Sequence, residues 1–258
     1  MTRFLTLTAL TLGLLMQAER ASGSAFRVTP VKVELSQKSA STLLTLTNES
    51  GDDLRFQITA FAWSQDPKGG MKLAPTQDIT FFPALLSLKP GEERKVRVGA
   101  KTAATDMEKS YRMFFEELPP LTTPTAPPQG AQVRILTKMG VPIFLTPTRA
   151  RGEAGIGAAA VSAGKLTFDV HNSGNVHFSV HAVKVSGLAG DGTRLFEKQV
   201  DGWYVLPGTP RSYEVEIPAD LCSRVSRIEI QAKTDLAADA ATPATQIDVP
   251  KQSCKATK

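Results

Sequence analysis

The chain has 258 residues, room for two domains of roughly 100–130 residues each, and its 41% hydrophobic content excludes a mostly disordered polymer. The net charge of +5 contains no run of five basic residues, which argues against nucleic acid as a partner.

Met1-Thr2-Arg3 is followed by an apolar stretch over 4–16 and then by the small residues Ala21, Ser22, Gly23, Ser24 and Ala25. This layout predicts a secretory signal over 1–25, cleaved after Gly23 or Ala25. The stretch is too short to span a bilayer comfortably, and no later segment does better. Loss of Arg3, Glu19 and Arg20 takes one unit from +5 and leaves +4.

Short alternating runs, separated by Gly, Pro, Asn and Asp turns, then predict strands throughout. In the first half they cover 26–35, 41–47, 54–63, 79–88, 93–100 and 110–118, and Pro83 marks an edge or a kink in the fourth. Lys89-Pro90-Gly91-Glu92 has the Pro and Gly of a type II turn. Residues 103–109 could form a helical turn at most. The proline-rich segment 119–130 cannot hold a ladder and reads as an exposed loop.

The following stretch is the most informative. From Val133 the odd positions are Val133, Ile135, Thr137, Met139, Val141, Ile143 and Leu145, an almost wholly apolar face on an unusually long strand. Pro142 places part of it at a sheet edge. A long apolar edge invites aggregation unless it is covered, and adding a partner strand is one way to cover it. On pattern alone, an ordinary core strand continuing between domains is the better reading.

In the second half, 149–164 reads as a loop plus a weak strand. Strands follow over 165–171, 176–187, 194–205, 211–217 and 225–233, with a last one over 246–249. The architecture is therefore all-β, with two immunoglobulin-like sandwiches over 26–147 and 148–258. Cys222 and Cys254, an even pair in an exported chain, predict one disulfide.

Chemistry is sparse. The three histidines, His171, His177 and His181, read as solvated surface groups with no metal partners in step. There is no Gly-x-Ser-x-Gly elbow and no phosphate loop on a strand-to-helix turn, and Glu116 and Glu117 point to opposite faces. These observations predict no enzyme, cofactor, metal or small-molecule substrate. Lys32, Arg112 and Lys138 lie in apolar surroundings, where a cation is costly unless paired or near water.

Several segments together resemble the PapD-like periplasmic pilus chaperones of the chaperone–usher pathway. They are Thr29-Pro30-Val31-Lys32-Val33-Glu34-Leu35, Ala60-Phe61-Ala62-Trp63 and the run from Leu88 through Pro90-Gly91 to Val98. Ser110-Tyr111-Arg112-Met113-Phe114-Phe115-Glu116-Glu117-Leu118 and His171-Asn172-Ser173-Gly174-Asn175 complete the set. The pattern is most similar to the branch serving spore-coat-protein-U-like or archaic pili.

The resemblance implies two immunoglobulin-like domains around a cleft, with the last strand of the first domain, about 132–145, lent to unfinished pilus subunits. It implies Val133, Ile135, Thr137, Met139, Val141 and Ile143 as donor side chains, and an outer-membrane usher as the second partner. It also implies a basic set that anchors the subunit's C-terminal carboxylate, drawn from Lys32, Arg112 and Lys138. Lys32 stands where the family usually has arginine, which keeps the charge and loses the bidentate fork. The sequence leaves open whether the idle chain self-associates. An exported immunoglobulin-like adhesion or structural module is the alternative, and the expected signal running almost directly into the first strand weighs against it.

Overall fold

A computed structural model describes residues 25–121, 135–236 and 242–254. Residues 1–24 of the signal expected over 1–25, Val133 and most of the proline-rich segment lie outside the described residues.

The first sandwich pairs β1 (Phe26–Thr29), β3 (Ser41–Asn48), β8 (Glu93–Ala100) and β6 (Ile79–Phe82) in one sheet. The facing sheet has the order β2 (Val33–Leu35), β10 (Lys138–Leu145), β9 (Lys109–Glu117), β4 (Leu54–Gln65), β5 (Met71–Pro75), with β7 (Leu85–Leu88) also on β4. Val28, Leu44, Leu46, Val96 and Val98 of one sheet meet Phe56, Ile58, Met113, Phe115, Val141 and Ile143 of the other.

Two runs that read as single strands are each split between the sheets. Residues 26–35 become β1 and β2, and 79–88 become β6 and β7, with Pro30 and Pro83 at the breaks. Proline lacks the N–H that would continue a ladder, so the chain leaves one sheet there and enters the other. The turn at Lys89–Glu92 forms as predicted: Glu92 N donates to Lys89 O at 3.0 Å and Gly91 takes φ +74°. β5 has little apolar alternation and all its residues are exposed, which is why the sequence pattern misses it.

The second sandwich sets β11 (Ala154–Ser162), β12 (Lys165–Asn172) and β16 (Pro210–Glu216) against β14 (Arg194–Asp201), β13 (Phe178–Leu188), β17 (Arg227–Thr234) and β18 (Ala244–Asp248). β15 (Tyr204–Val205) adds to β13. One turn of helix, α1 (Ala219–Cys222), presents Cys222 to a 3-10 turn at Lys251–Cys254. The Cys222–Cys254 disulfide closes there over a separation of 32 residues.

The two sandwiches meet in a cluster of Trp63 and Phe144 from the first and Trp203, Tyr204 and Leu206 from the second. Gln65 fastens this contact at both ends of its amide. Its Nε2 donates to Tyr204 O at 2.9 Å, and its Oε1 accepts from Leu206 N at 3.1 Å.

Candidate functional site

β10 is the strand to which the sequence points, and the structure divides it. Its odd-numbered stripe faces inward along its lower half: Val141 and Ile143 are both 0% exposed and belong to the first core, with Leu145 beside them. They cannot also fill another protein's groove without opening their own domain, so two of the six expected donor side chains are corrected to core residues. Above them the stripe runs past the rim of the sandwich. Met139 is half-buried at that rim, Thr137 is exposed and Ile135 is 65% exposed.

The edges of β10 differ along its length in the same way. β9 pairs with it over the whole of Lys138–Leu145. On the other side β2 covers only Ile143, Phe144 and Leu145, in parallel register with Val33, Glu34 and Leu35. From Lys138 to Pro142 this edge has no partner strand among the described residues.

The three cations are not equivalent. Lys138 lies on the outer face near the upper end, 49% exposed, ion-paired to Glu116 at 2.7 Å and set over Phe114 at 4.9 Å. It stands four residues, about 13 Å, from the base of the open edge. Lys32 directly precedes β2, 39% exposed, at the rim of an interdomain cleft of about 570 Å³ that Glu34, Glu108, His177 and Asp235 also line. Its ammonium is 2.7 Å from Glu34, whose hydrogen bond raises the Lys32 pKa.

Arg112 stands apart from both. Its guanidinium lies 5.1 Å from the Trp63 ring and 5.6 Å from Trp203, between the two domains. Nε and Nη1 are buried with no hydrogen-bond partner, and desolvation lowers its pKa. Gly140 makes this placement possible, since a Cβ at 140 would stand 3.0 Å from Arg112 Nε. Arg112 is opposite Pro142 across the β9–β10 ladder, and extending the β2–β10 register by one residue brings Lys32 to the same level. Arg112 and Lys32 therefore flank β10 in one row at the base of its open edge, and Lys138 is not in that row.

One histidine departs from expectation. His171 and His181 are exposed, but the His177 side chain is only 9% exposed and the Glu108 carboxylate 0%. Glu108, just before β9, accepts from His177 N at 3.1 Å and lies 2.8 Å from its Nδ1. The His177 ring stacks on Phe144, with centroids 3.4 Å apart. Glu108 and His177 lie 69 residues apart in sequence, so no local pattern could reveal their contact.

Two immunoglobulin-like sandwiches around a cleft, with an open edge on the last strand of the first, define a class of two-domain β-protein. Residues 25–151 match the family model of the PapD N-terminal domain, described as a pili and flagellar-assembly chaperone. This first half of the chain belongs to the PapD-like family, and the proteins it resembles are chaperones and not enzymes.

Solved structures share the fold at low sequence identity. A chain of the CsuC–CsuE chaperone–tip adhesion subunit pre-assembly complex from archaic Csu pili of Acinetobacter baumannii is 16% identical. It aligns over 86% of this chain and 97% of its own, with a TM-score of 0.59. The CupB2 chaperone of Pseudomonas aeruginosa is 14% identical over 87% of this chain and 100% of its own, with a TM-score of 0.53. A chain of the Salmonella enterica SafA pilin–SafB chaperone complex is 13% identical over 86% of this chain and 96% of its own, with a TM-score of 0.54. No curated protein matches in sequence.

Proposed function

We propose that this chain is a periplasmic chaperone that captures pilus subunits by lending them the open edge of β10 and passes them to an outer-membrane usher. The observation that carries this reading is the division of β10. Its lower half is fixed in the core and flanked by two strands, while its upper half has one edge without a partner strand among the described residues and is preceded by the exposed Ile135. An edge of this kind is a template for strand addition. The similarity to a chaperone–tip adhesion subunit complex and a pilin–chaperone complex supports subunits as the guests. The export signal expected over 1–25 supports the periplasm, and no described helix is long and apolar enough to cross a membrane.

The donor side chains in this reading are Ile135, Thr137 and Met139, with Val133 next in the same stripe. The subunit carboxylate is anchored first by Arg112, which lacks a carboxylate partner, and second by Lys32, which Glu34 already neutralises. Co-expression with a pilin encoded beside this chain is expected to give a one-to-one complex in the periplasm. Arg112→Ala is expected to weaken capture at least about ten-fold, the value of a charge-assisted hydrogen bond. Ile135→Asp together with Met139→Asp should abolish capture; unchanged yield of the complex from that double variant would sink the proposal.

A further inference from the structure

The two ends of the domain joint are built differently. At one end the chain crosses between the sandwiches over residues 146–153, and Asn175 ties the crossing to both. Its Nδ2 donates to Arg149 O at 2.8 Å and Asp106 O at 2.7 Å, its Oδ1 accepts from Arg151 N at 2.6 Å, and its O accepts from Glu108 N at 2.9 Å. At the other end the tip of the β4–β5 hairpin rests on β16. Pro67 O accepts from Ser212 N at 2.7 Å, and a Cβ on Gly69 would overlap Arg211 Nη1. Arg211 is opposite the buried Val170 in the β12–β16 ladder, so it points into the mouth of the second sandwich, 5.5 Å from the Tyr213 ring. Among the described residues, six buried side-chain polar atoms have no hydrogen-bond partner. They are Trp63 Nε1, Nε and Nη1 of Arg112, Nε and Nη1 of Arg211, and the Tyr213 hydroxyl. None of them surrounds Asn175. Trp63 and Arg112 meet Trp203 across the joint, and Arg211 lies under the hairpin tip.

We infer that the two sandwiches rock about Asn175, and that the hairpin end is the part that lifts. A buried polar group left unpaired costs at least as much as a typical hydrogen bond contributes. At the hairpin end the bonds from Ser212 to Pro67 and from Gln65 to Tyr204 and Leu206 are set against these unpaired groups. Contact there is therefore balanced, and lifting the hairpin lets Arg211, Tyr213, Arg112 and Trp63 pair with water. The Asn175 end would lose its satisfied bonds and gain nothing, so it acts as the pivot. The strand order sets the pivot between two lobes. β2 lies on one side of β10 and β9 with the cleft of about 570 Å³, and β4 and β5 lie on the other side with the hairpin tip. Lifting the hairpin thus narrows the cleft that Lys32 and Glu34 share with Asp235 and Leu236. The motion is a property of the joint and does not depend on strand lending.

The test uses the full exported chain with spin labels on introduced cysteines, its own two being bonded to each other. Lys72→Cys with Glu214→Cys spans the hairpin end, and Val31→Cys with Lys233→Cys spans the cleft. Pulsed electron resonance should show two distances for each pair, and the minor one should be the longer at the hairpin and the shorter at the cleft. Arg211→Met and Tyr213→Phe remove unpaired groups while keeping the mouth filled, so both should shrink the minor population. Hydrogen exchange at the Ser212 amide should slow about ten-fold in the first and about three-fold in the second, while Glu108 at the pivot is unchanged. Tyr213→Phe keeps the rocking motion falsifiable if Arg211→Met folds poorly. A single narrow distance for each pair in the parent chain overturns the motion. Ser212 exchange that neither variant slows shows that the unpaired groups do not lift the hairpin, and overturns it as well. Two distances that lengthen together put the pivot elsewhere and overturn Asn175 as its place.

Discussion

The two sandwiches carry the same corner, built from the same kind of residue, and use it differently. Asn48 ends β3 in the first: its side chain is buried, Oδ1 accepts from Ser50 N at 2.9 Å, and Nδ2 donates to Asp52 O at 2.7 Å and Leu88 O at 3.1 Å. Asn172 ends β12 in the second: Oδ1 accepts from Gly174 N at 3.0 Å, and Nδ2 donates to Val176 O and Val205 O, both at 2.9 Å. Each asparagine thus ties a turn, two and four residues on, to a distant strand. In the second sandwich the turn also meets the first domain. Asn175 Nδ2 donates to Asp106 O at 2.7 Å, Glu108 N donates to Asn175 O at 2.9 Å, and His177 follows with its contact to the Glu108 carboxylate. One local solution serves as a simple corner in one place and as half of a domain joint in the other.

The sandwiches also differ in how they are closed. The second is stapled by its disulfide. The first has none and relies on β10, whose upper edge it leaves open. This contrast predicts where each domain is vulnerable. The largest effect is expected from Val141→Asp, which puts a charge into the first core at a cost of about 4 kcal/mol or more. Far-ultraviolet circular dichroism under denaturant should show the first sandwich unfolding early. A variant that melts like the wild type would return Val141 to the donor stripe.

Next comes reduction of Cys222–Cys254, or Cys222→Ser with Cys254→Ser. Opening a 32-residue span should cost about 3–4 kcal/mol on the chain-entropy account, and calorimetry should place the loss in the second sandwich. The asparagine pair sharpens the comparison further. Asn48→Ala and Asn172→Ala each strand buried carbonyls and should cost about 2–3 kcal/mol. Only Asn172→Ala should also loosen the joint, read as faster hydrogen exchange at the Glu108 and His177 amides.

The smallest effect concerns pH. Tyr111 is buried in the first sandwich and donates to Asp78 Oδ2 at 2.7 Å; burial, followed by that hydrogen bond, pushes its pKa well up. The unfolded chain releases this proton near pH 10 while the folded chain still holds it. The stabilisation is therefore complete below about pH 10 and fades as pH rises towards the folded pKa. Tyr111→Phe should flatten that alkaline decline, while the second sandwich keeps its own.

Much of this protein was legible in its residues. Alternation gave most strands, Pro90-Gly91 gave a turn, two cysteines gave the disulfide, and ordered motifs gave the family. These succeed because they depend on neighbours in sequence or on the redox compartment. A period of two reports that a strand has two faces, but not what covers either one. Only the register of β10 against β9 and β2 decided that Val141 and Ile143 close the core while Ile135 overhangs it. Only domain packing brought Trp203 to Arg112 and His177 to Glu108, because each of these contacts joins residues of separate sandwiches. Lys32, Arg112 and Lys138 are alike as charged residues in apolar runs. Their difference is a matter of rows across a sheet, which spacing along the chain does not encode.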